Sequence, residues 1–292
     1  MSVEAILLGT AQDGGVPQAG CYCTHCAPAH ADPTRRHWVT CLGLVDRTTR
    51  QSWLIDATPD FRGQLHTLRR IAPDNSLAGI VLTHAHIGHY AGLIHLGREA
   101  WGVRDLPVYA SPCMASFLRD NAPWSQLVVL GNIQLRLLAP AHTNENENEN
   151  EVQLSPNLYL APTPVPHRDE FSDTLAFVVR GPARRLFYCP DIDAWDCWER
   201  DLRRFVAQTD VALLDGTFFS ADEVNELAGR DPSQIPHPLV TDTVKRLEGV
   251  DCDVQLIHLN HSNPLHSPGA EQDWVAARGI SVGSSGARWR LD

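Results

Sequence analysis

Positive charge is scarce in this chain of 292 residues: 24 Lys and Arg stand against 35 Asp and Glu, a formal net charge of −11. Tight binding to a nucleic-acid backbone is driven by a basic footprint, so neither DNA nor RNA is an expected partner. A small anionic substrate stays compatible, because a bound cation supplies local positive charge within a negative overall field. Long apolar runs are also missing. No stretch approaches the roughly 20 residues that a membrane helix needs, so no membrane association is expected. The opening, Met1-Ser2-Val3-Glu4-Ala5-Ile6-Leu7-Leu8-Gly9-Thr10, has no basic segment ahead of its short apolar run. It reads as a first strand ending at a glycine, not as an export signal, and the cytoplasm is the expected compartment.

A spaced disulfide framework is absent as well. Of 8 cysteines, Cys21, Cys23 and Cys26 are bunched, while Cys41, Cys113, Cys189, Cys197 and Cys252 are scattered. Such a bunch pairs poorly with itself and suits a metal better. Gly20-Cys21-Tyr22-Cys23-Thr24-His25-Cys26 offers three thiolates, and tetrahedral zinc takes a fourth ligand. His25 is cramped between two ligands, which leaves His30, His37, His237 and His261. Cys113, Cys189, Cys197 and Cys252 read as small buried residues.

Hydrophobic residues make up 43% and charged residues 20%, a composition able to bury a large core. One domain over residues 1–292 is expected. Alternating apolar runs with Gly and Pro punctuation predict strands at 3–8, 39–45, 52–55, 79–82, 107–109, 133–138, 158–161, 174–179, 186–188, 211–214 and 254–259. Helical patterns fall at 61–71, 89–101, 113–121, 195–208, 239–247 and 270–277. Strands and helices interleave without regular βαβ alternation, which predicts an α/β layered fold with mixed sheets. The acidic repeat Asn144-Glu145-Asn146-Glu147-Asn148-Glu149-Asn150-Glu151 cannot pack, so residues 143–152 are expected to be a flexible acidic loop. Trp195 and Trp198 read as packing residues, and His66 and His95 as satisfied or exposed.

The sharpest feature is Leu82-Thr83-His84-Ala85-His86-Ile87-Gly88-His89, where an apolar strand delivers three histidines at its end. His84 and His86 are two apart and project the same way from extended backbone. His89 opens the following helical pattern and can turn back toward them. Imidazoles converging on one point suit zinc, iron or manganese. Further candidates each stand just beyond a strand: His167, Asp191 and His258, with Asp193 competing with Asp191. Asp169 reads as a ligand or as a partner of one. Asp13 and Asp60 lie in loops and are weaker candidates.

These motifs resemble the metallo-β-lactamase superfamily, whose His-x-His-x-Asp-His signature is followed by a lone His, an Asp and a final His. His84, His86 and His89 match the signature, and His167, Asp191 and His258 match the later positions in order. The resemblance spans nearly the whole chain and implies an αββα sandwich, two mixed β-sheets flanked by helices. Leu54-Ile55-Asp56-Ala57 is similar to the family's early strand-end aspartate, which braces the metal loop. Two branches are closer still. The family of pyrroloquinoline quinone biosynthesis protein B shares stretches similar to Leu8-Gly9-Thr10-Ala11-Gln12-Asp13-Gly14-Gly15, Ala57-Thr58-Pro59-Asp60-Phe61-Arg62 and Leu214-Asp215-Gly216-Thr217-Phe218. The phosphonate-degradation phosphodiesterase branch shares the glycine-rich opening, the cysteine loop and the histidine signature, and this second resemblance implies that His261 completes a structural zinc with Cys21, Cys23 and Cys26. The chain departs from the signature at one point: Gly88 stands where the aspartate of the second metal belongs, leaving His89, Asp191 and His258 there.

The resemblance implies a metal-dependent hydrolase with one or two Zn2+, Mn2+ or Fe2+ at the active site. Metal-held hydroxide would attack an ester-type bond, a phosphodiester or cyclic phosphate first among them, with Asp191 and His89 as catalytic residues. The substrate would be a small molecule, and a homodimer is compatible. The alternatives are a quinone-biosynthetic role with iron and oxygen, and a metal-binding or carrier protein without catalysis.

Overall fold

The computed structural model describes residues 2–139, 150–228 and 235–292. Among these the chain forms the strands β1 (Val3–Gly9), β2 (Cys41–Asp46), β3 (Gln51–Ile55), β4 (Ser76–Val81), β5 (Leu106–Ala110), β6 (Ile133–Leu137), β7 (Val152–Ser155), β8 (Leu158–Val165), β9 (Thr174–Arg180), β10 (Arg185–Cys189), β11 (Val211–Asp215), β12 (Asp253–Ile257), β13 (Ile280–Val282) and β14 (Arg288–Arg290). The helices are α1 (Cys26–Ala31), α2 (Phe61–Ile71), α3 (Ile87–Tyr90), α4 (Pro112–Asp120), α5 (Trp124–Val129), α6 (Leu202–Val206), α7 (Ala221–Ala228), α8 (Val240–Leu247) and α9 (Ala270–Ala276).

The strands assemble into two seven-stranded sheets, ordered β14-β1-β2-β3-β4-β5-β6 and β13-β12-β11-β10-β9-β8-β7. Both are mixed. In the first, β14, β1, β2 and β3 pair antiparallel before β3, β4, β5 and β6 run parallel. The second repeats the plan, antiparallel from β7 to β10 and parallel from β10 to β13.

Burial along the strands shows why the sheets stack. Every residue of β2 and β11 is buried, and all but the last of β9, as expected for strands covered on both faces. Edge strand β6 is largely uncovered. Leu42, Leu44, Trp53 and Ile55 of one sheet meet Leu160, Phe177, Leu186 and Tyr188 of the other in the central core. Outside the first sheet, Phe61, Leu68, Met114 and Leu118 of α2 and α4 close a second core. Outside the second sheet, Leu202, Phe205, Val240, Val244 and Val275 of α6, α8 and α9 close a third. Burying each such side chain stabilises the fold by roughly 1.5–3 kcal/mol. The result is the αββα sandwich expected from the sequence.

Three local expectations need correction. The helix expected at 89–101 is instead α3 followed by a 3-10 turn over Ala91–Leu96. The Gly92 N–H donates to Ala57 O, outside its own helix, and the regular ladder stops there. The helix expected at 195–208 is a 3-10 turn, Trp195–Cys197, and then α6, because Asp201 caps α6 by accepting from the Arg204 N–H. Cys113 and Cys197 are exposed, not buried; Cys189 is buried as expected. Most of the acidic loop expected at 143–152 lies outside the described residues; within it, Glu151 is paired with Arg180. Trp195 and Trp198 do pack in the third core, and each indole N–H donates a hydrogen bond, to Thr243 Oγ1 and to Pro164 O.

Candidate metal centre

The carboxyl ends of β3, β4, β8, β10, β11 and β12 come together at one rim of the sandwich, and the chain places an acid or a histidine just past or at each: Asp56, His84, His167, Asp191, Asp215 and His258. Two of these, Asp56 and His258, hold φ of 72° and 60°, a left-handed backbone that non-glycine residues adopt rarely. Backbone strain of this kind persists where surrounding contacts over-determine it.

At the first position, His84 Nε2 lies 2.8 Å from His86 Nδ1, and His167 Nε2 lies 3.1 Å from the same atom. Asp191 Oδ2 is 3.4 Å from His84 Nε2 and 3.2 Å from His167 Nε2. Ligand atoms about 2.1 Å from a shared ion stand roughly 3.0–3.4 Å apart, so these spacings suit one divalent cation. At the second position, His89 Nε2 and His258 Nε2 each lie 3.8 Å from the same Asp191 Oδ2. The six active-site residues expected from the sequence are therefore brought together, with Asp191 between the two sets.

What holds each imidazole decides which nitrogen faces inward. Asp56 accepts from the Thr83 N–H and Oγ–H at 2.9 Å each, and from His89 Nδ1–H at 2.7 Å. Thr83 Oγ1, its proton committed to Asp56, accepts from His84 Nδ1–H at 3.0 Å. The second sheet repeats the device. Thr217 donates its N–H and Oγ–H to Asp215 Oδ1, at 2.9 and 2.7 Å, and its oxygen accepts from His258 Nδ1–H at 2.9 Å. His86 donates from Nε2 to Glu170 Oε2 at 3.3 Å, and Asp193 Oδ1 lies 2.9 Å from His167 Nδ1. The outer nitrogens of His84, His86, His89 and His258 are thus hydrogen-bonded, that of His167 faces the Asp193 carboxylate, and the inner ones present lone pairs, the orienting pattern found behind metal-bound histidines. Two lone pairs 2.8 Å apart repel unless a cation lies before them. His89 Nε2 and His258 Nε2 are buried without a hydrogen-bond partner, at a cost of about 1–3 kcal/mol each. The donor set fits a metal.

Electrostatics agree. Burial alone would raise the Asp191 carboxyl, yet His237, His167 and His258 hold it well below the usual carboxylate range. Burial, with His89 beside it, pushes His84 far down, so it stays neutral. Burial opposes charge on His89, but Asp56 and Asp13 outweigh it and raise that group well above an ordinary histidine. A bound cation would displace the proton this implies.

Several participants were invisible or faint in the sequence. His237 was a candidate for the cysteine loop; its Nδ1 instead hydrogen-bonds Asp215 Oδ2 at 2.9 Å and lies 3.2 Å from Asp191 Oδ1. Burial disfavours its charge, but Asp215 and Asp191 pull its pKa up to about 9. Asp215 carried a readable signal, because Leu214-Asp215-Gly216-Thr217 parallels Ile55-Asp56-Ala57-Thr58 at a strand end. Glu170 reaches His86, whereas its neighbour Asp169 is exposed and takes no part. Asp193 stands behind His167 and does not replace Asp191. Asp60 accepts from the Val39 N–H at 2.9 Å, away from the cluster. Beside the centre, Glu170 also lines an open groove of about 570 Å3 with Phe117, Phe171, Cys113 and Asp120.

A separate cluster joins Cys21, Cys23, Cys26 and His261, whose ligand atoms all lie within 4.8 Å of one another. His261 Nδ1 is 3.5 Å from Cys21 Sγ and 3.6 Å from Cys23 Sγ. Bonds of about 2.3 Å to sulfur and 2.0 Å to nitrogen in a tetrahedron require roughly 3.5 Å. His30 hydrogen-bonds Cys21 O and the His37 ring packs at a tilt against His266, so neither competes.

The full-length matches follow this geometry. Coenzyme PQQ synthesis protein B of Methylorubrum extorquens is 27% identical over 302 residues, covering 97% of this chain and 98% of that protein. The zinc-bound PqqB structure from Methylobacterium extorquens superposes with a TM-score of 0.82 at 23% identity, over 98% of this chain and 99% of that one. A diphosphatase of the PhnP family superposes with a TM-score of 0.68 at 19% identity, over 99% and 97%. The model of the β-lactamase superfamily domain matches residues 52–261, which include all three signature histidines and His167, Asp191, His258 and His261. The chain belongs to the β-lactamase superfamily and has the metallo-β-lactamase fold.

Proposed function

We propose that the chain is a metal-dependent hydrolase acting on an ester-type bond, with a phosphodiester or cyclic phosphate as the favoured class. One observation carries the reading: donor atoms of His84, His86, His167 and Asp191 converge on one locus, with the outer nitrogens of His84 and His86 hydrogen-bonded elsewhere. These residues would hold a divalent cation, which would lower the pKa of its water toward about 7 and offset negative charge on a phosphoryl or carbonyl oxygen. Thr83, Glu170 and Asp193 orient the three imidazoles. His237, lying by Asp191 Oδ1, leaves Oδ2 facing both histidine sets, so Asp191 is the shared residue. Asp56 keeps the Nδ1 proton of His89 engaged and directs Nε2 inward. The groove along Phe117 and Phe171 offers an apolar wall to a substrate's leaving group. Kinship in fold with a diphosphatase supports phosphoryl chemistry. The cysteine cluster would hold a structural zinc.

A second reading, a role in making a quinone cofactor with iron and oxygen, draws on the full-length match to the coenzyme PQQ synthesis proteins. Metal content and turnover separate the two. Protein loaded with Zn2+ or Mn2+ should hydrolyse bis(p-nitrophenyl) phosphate, and His84→Ala or His86→Ala should lower the rate by at least about 100-fold with the circular dichroism spectrum intact. Cys21→Ser should lower the melting temperature first. Oxygen consumption by an iron form, with no hydrolysis by the others, would favour the biosynthetic role; inertness of every loaded form would leave a carrier.

A further inference from the structure

We propose that Asp13 is the carboxylate of the second metal position, moved from the histidine signature to the N-terminal loop, and that residue 88 is glycine to make room for it. The inference rests on reading the site as a metal centre. Asp13 Oδ1 lies 3.4 Å from His89 Nε2 and 3.6 Å from His258 Nε2. Those separations are long for hydrogen bonds and match two edges of a ligand tetrahedron around one ion. All three atoms are buried and lack a hydrogen-bond partner, so each gains from a cation between them. Asp191 Oδ2 lies 3.8 Å from both imidazoles.

Gly88 supplies an independent observation. A Cβ on residue 88 would fall 2.2 Å from Asp13 Oδ1, 2.6 Å from its Cγ and 2.8 Å from its Cα. Any side chain at 88 therefore collides with the Asp13 carboxylate, and the family's aspartate at that position would compete for the same volume. With the N-terminal loop where it is, the carboxylate at this place comes from Asp13. Asp13 is not a loose loop residue drifting into a gap. The Gln12 N–H donates to Leu259 O at 2.9 Å and the Leu259 N–H donates to Thr10 O at 2.8 Å, so the loop is laced to the residue after His258. Its backbone is fixed by the segment whose histidine it joins. The second position thus keeps its carboxylate, and the exchange couples residues 75 places apart.

The test is zinc content of the full chain by elemental analysis after loading with Zn2+, together with an anomalous difference map from crystals. The parent should show a peak between His89, His258 and Asp13. Asp13→Ala and the isosteric Asp13→Asn should lose that peak, weaken the second Zn2+ by about 100-fold or more, and keep the peaks at His84 and at Cys21. Gly88→Ala, whose Cβ would meet the Asp13 carboxylate, should weaken the second Zn2+ in the same way and keep the peaks at His84 and at Cys21. An undiminished peak in Asp13→Asn, or in a folded Gly88→Ala, would overturn the exchange. A parent with zinc at His84 but none at His89 overturns it too, and leaves the hydrolase reading standing. Zinc at neither position removes the reading beneath it.

Discussion

Asp56 and Asp215 sit at corresponding places in the two sheets, each fully buried, each holding a threonine that in turn holds a histidine. A buried carboxylate is tolerated only when its lone pairs are filled, and here the threonine N–H, the threonine hydroxyl and a histidine fill them. The local logic of single groups also sets a pH response away from the centre. His266 packs near His37 and His25 and hydrogen-bonds Asn260 O; burial, reinforced by His37, pushes its pKa down to about 3. The unfolded chain takes a proton near 6.5 that the folded one refuses until about 3. Stability attributable to His266 is therefore complete above that upper value and falls as acid is added, by at most about 1.4 kcal/mol per pH unit. Urea unfolding at pH 7 and pH 5 should show a smaller acid loss for His266→Gln than for the parent. Equal losses would exclude His266 as the source.

Elements matter here chiefly by where they stop. α2 and α4 stand nearly as the periodicity expects, because their apolar faces repeat long enough to be read. The turn carrying His89 was expected to be a longer helix, and its break has a tertiary cause. Gly92 approaches the loop before α2 so closely that a Cβ there would lie 2.2 Å from Thr58 O and 2.6 Å from Phe61 Cβ. The contact locks α3 against Asp56, since Ala57 N–H also donates to His89 O at 2.8 Å. Gly92→Ala should cost about 1–3 kcal/mol through overpacking and loosen the second metal by swinging His89 away. Thermal unfolding and Zn2+ titration of this variant check both; an unchanged melting temperature would show that the turn has slack. Strands β7, β13 and β14 escaped notice for another reason. They are edge strands of three or four residues, too short for an alternation to register.

The candidate centre draws its residues from both sheets, with His84, His86 and His89 following β4 and His167, Asp191 and His258 following β8, β10 and β12. A cation there ties the halves of the sandwich together across their open rim. Metal should therefore stabilise the entire fold by linkage: Zn2+ at a thousand times its dissociation constant adds about 4 kcal/mol, a rise in melting temperature of roughly 8 °C. The rise should grow with Zn2+ concentration and shrink in His84→Ala, the remainder belonging to the cysteine cluster and the second position. A melting temperature that ignores Zn2+ would mean the rim is already rigid without it. Among the described residues no helix is long and apolar enough to cross a membrane.

Sequence alone was enough for the layered sheets, the six candidate ligand residues that converge and the cysteine loop, because each is written in local order: apolar alternation, a strand terminus, a tight spacing. It could not reveal that Asp13 lies against Gly88, that His237 joins Asp215 instead of the cysteines, or that Gly92 halts a helix. Those facts depend on backbone approach between segments distant in the chain, where fractions of an ångström decide which side chain fits, and only the packed tertiary structure sets those distances.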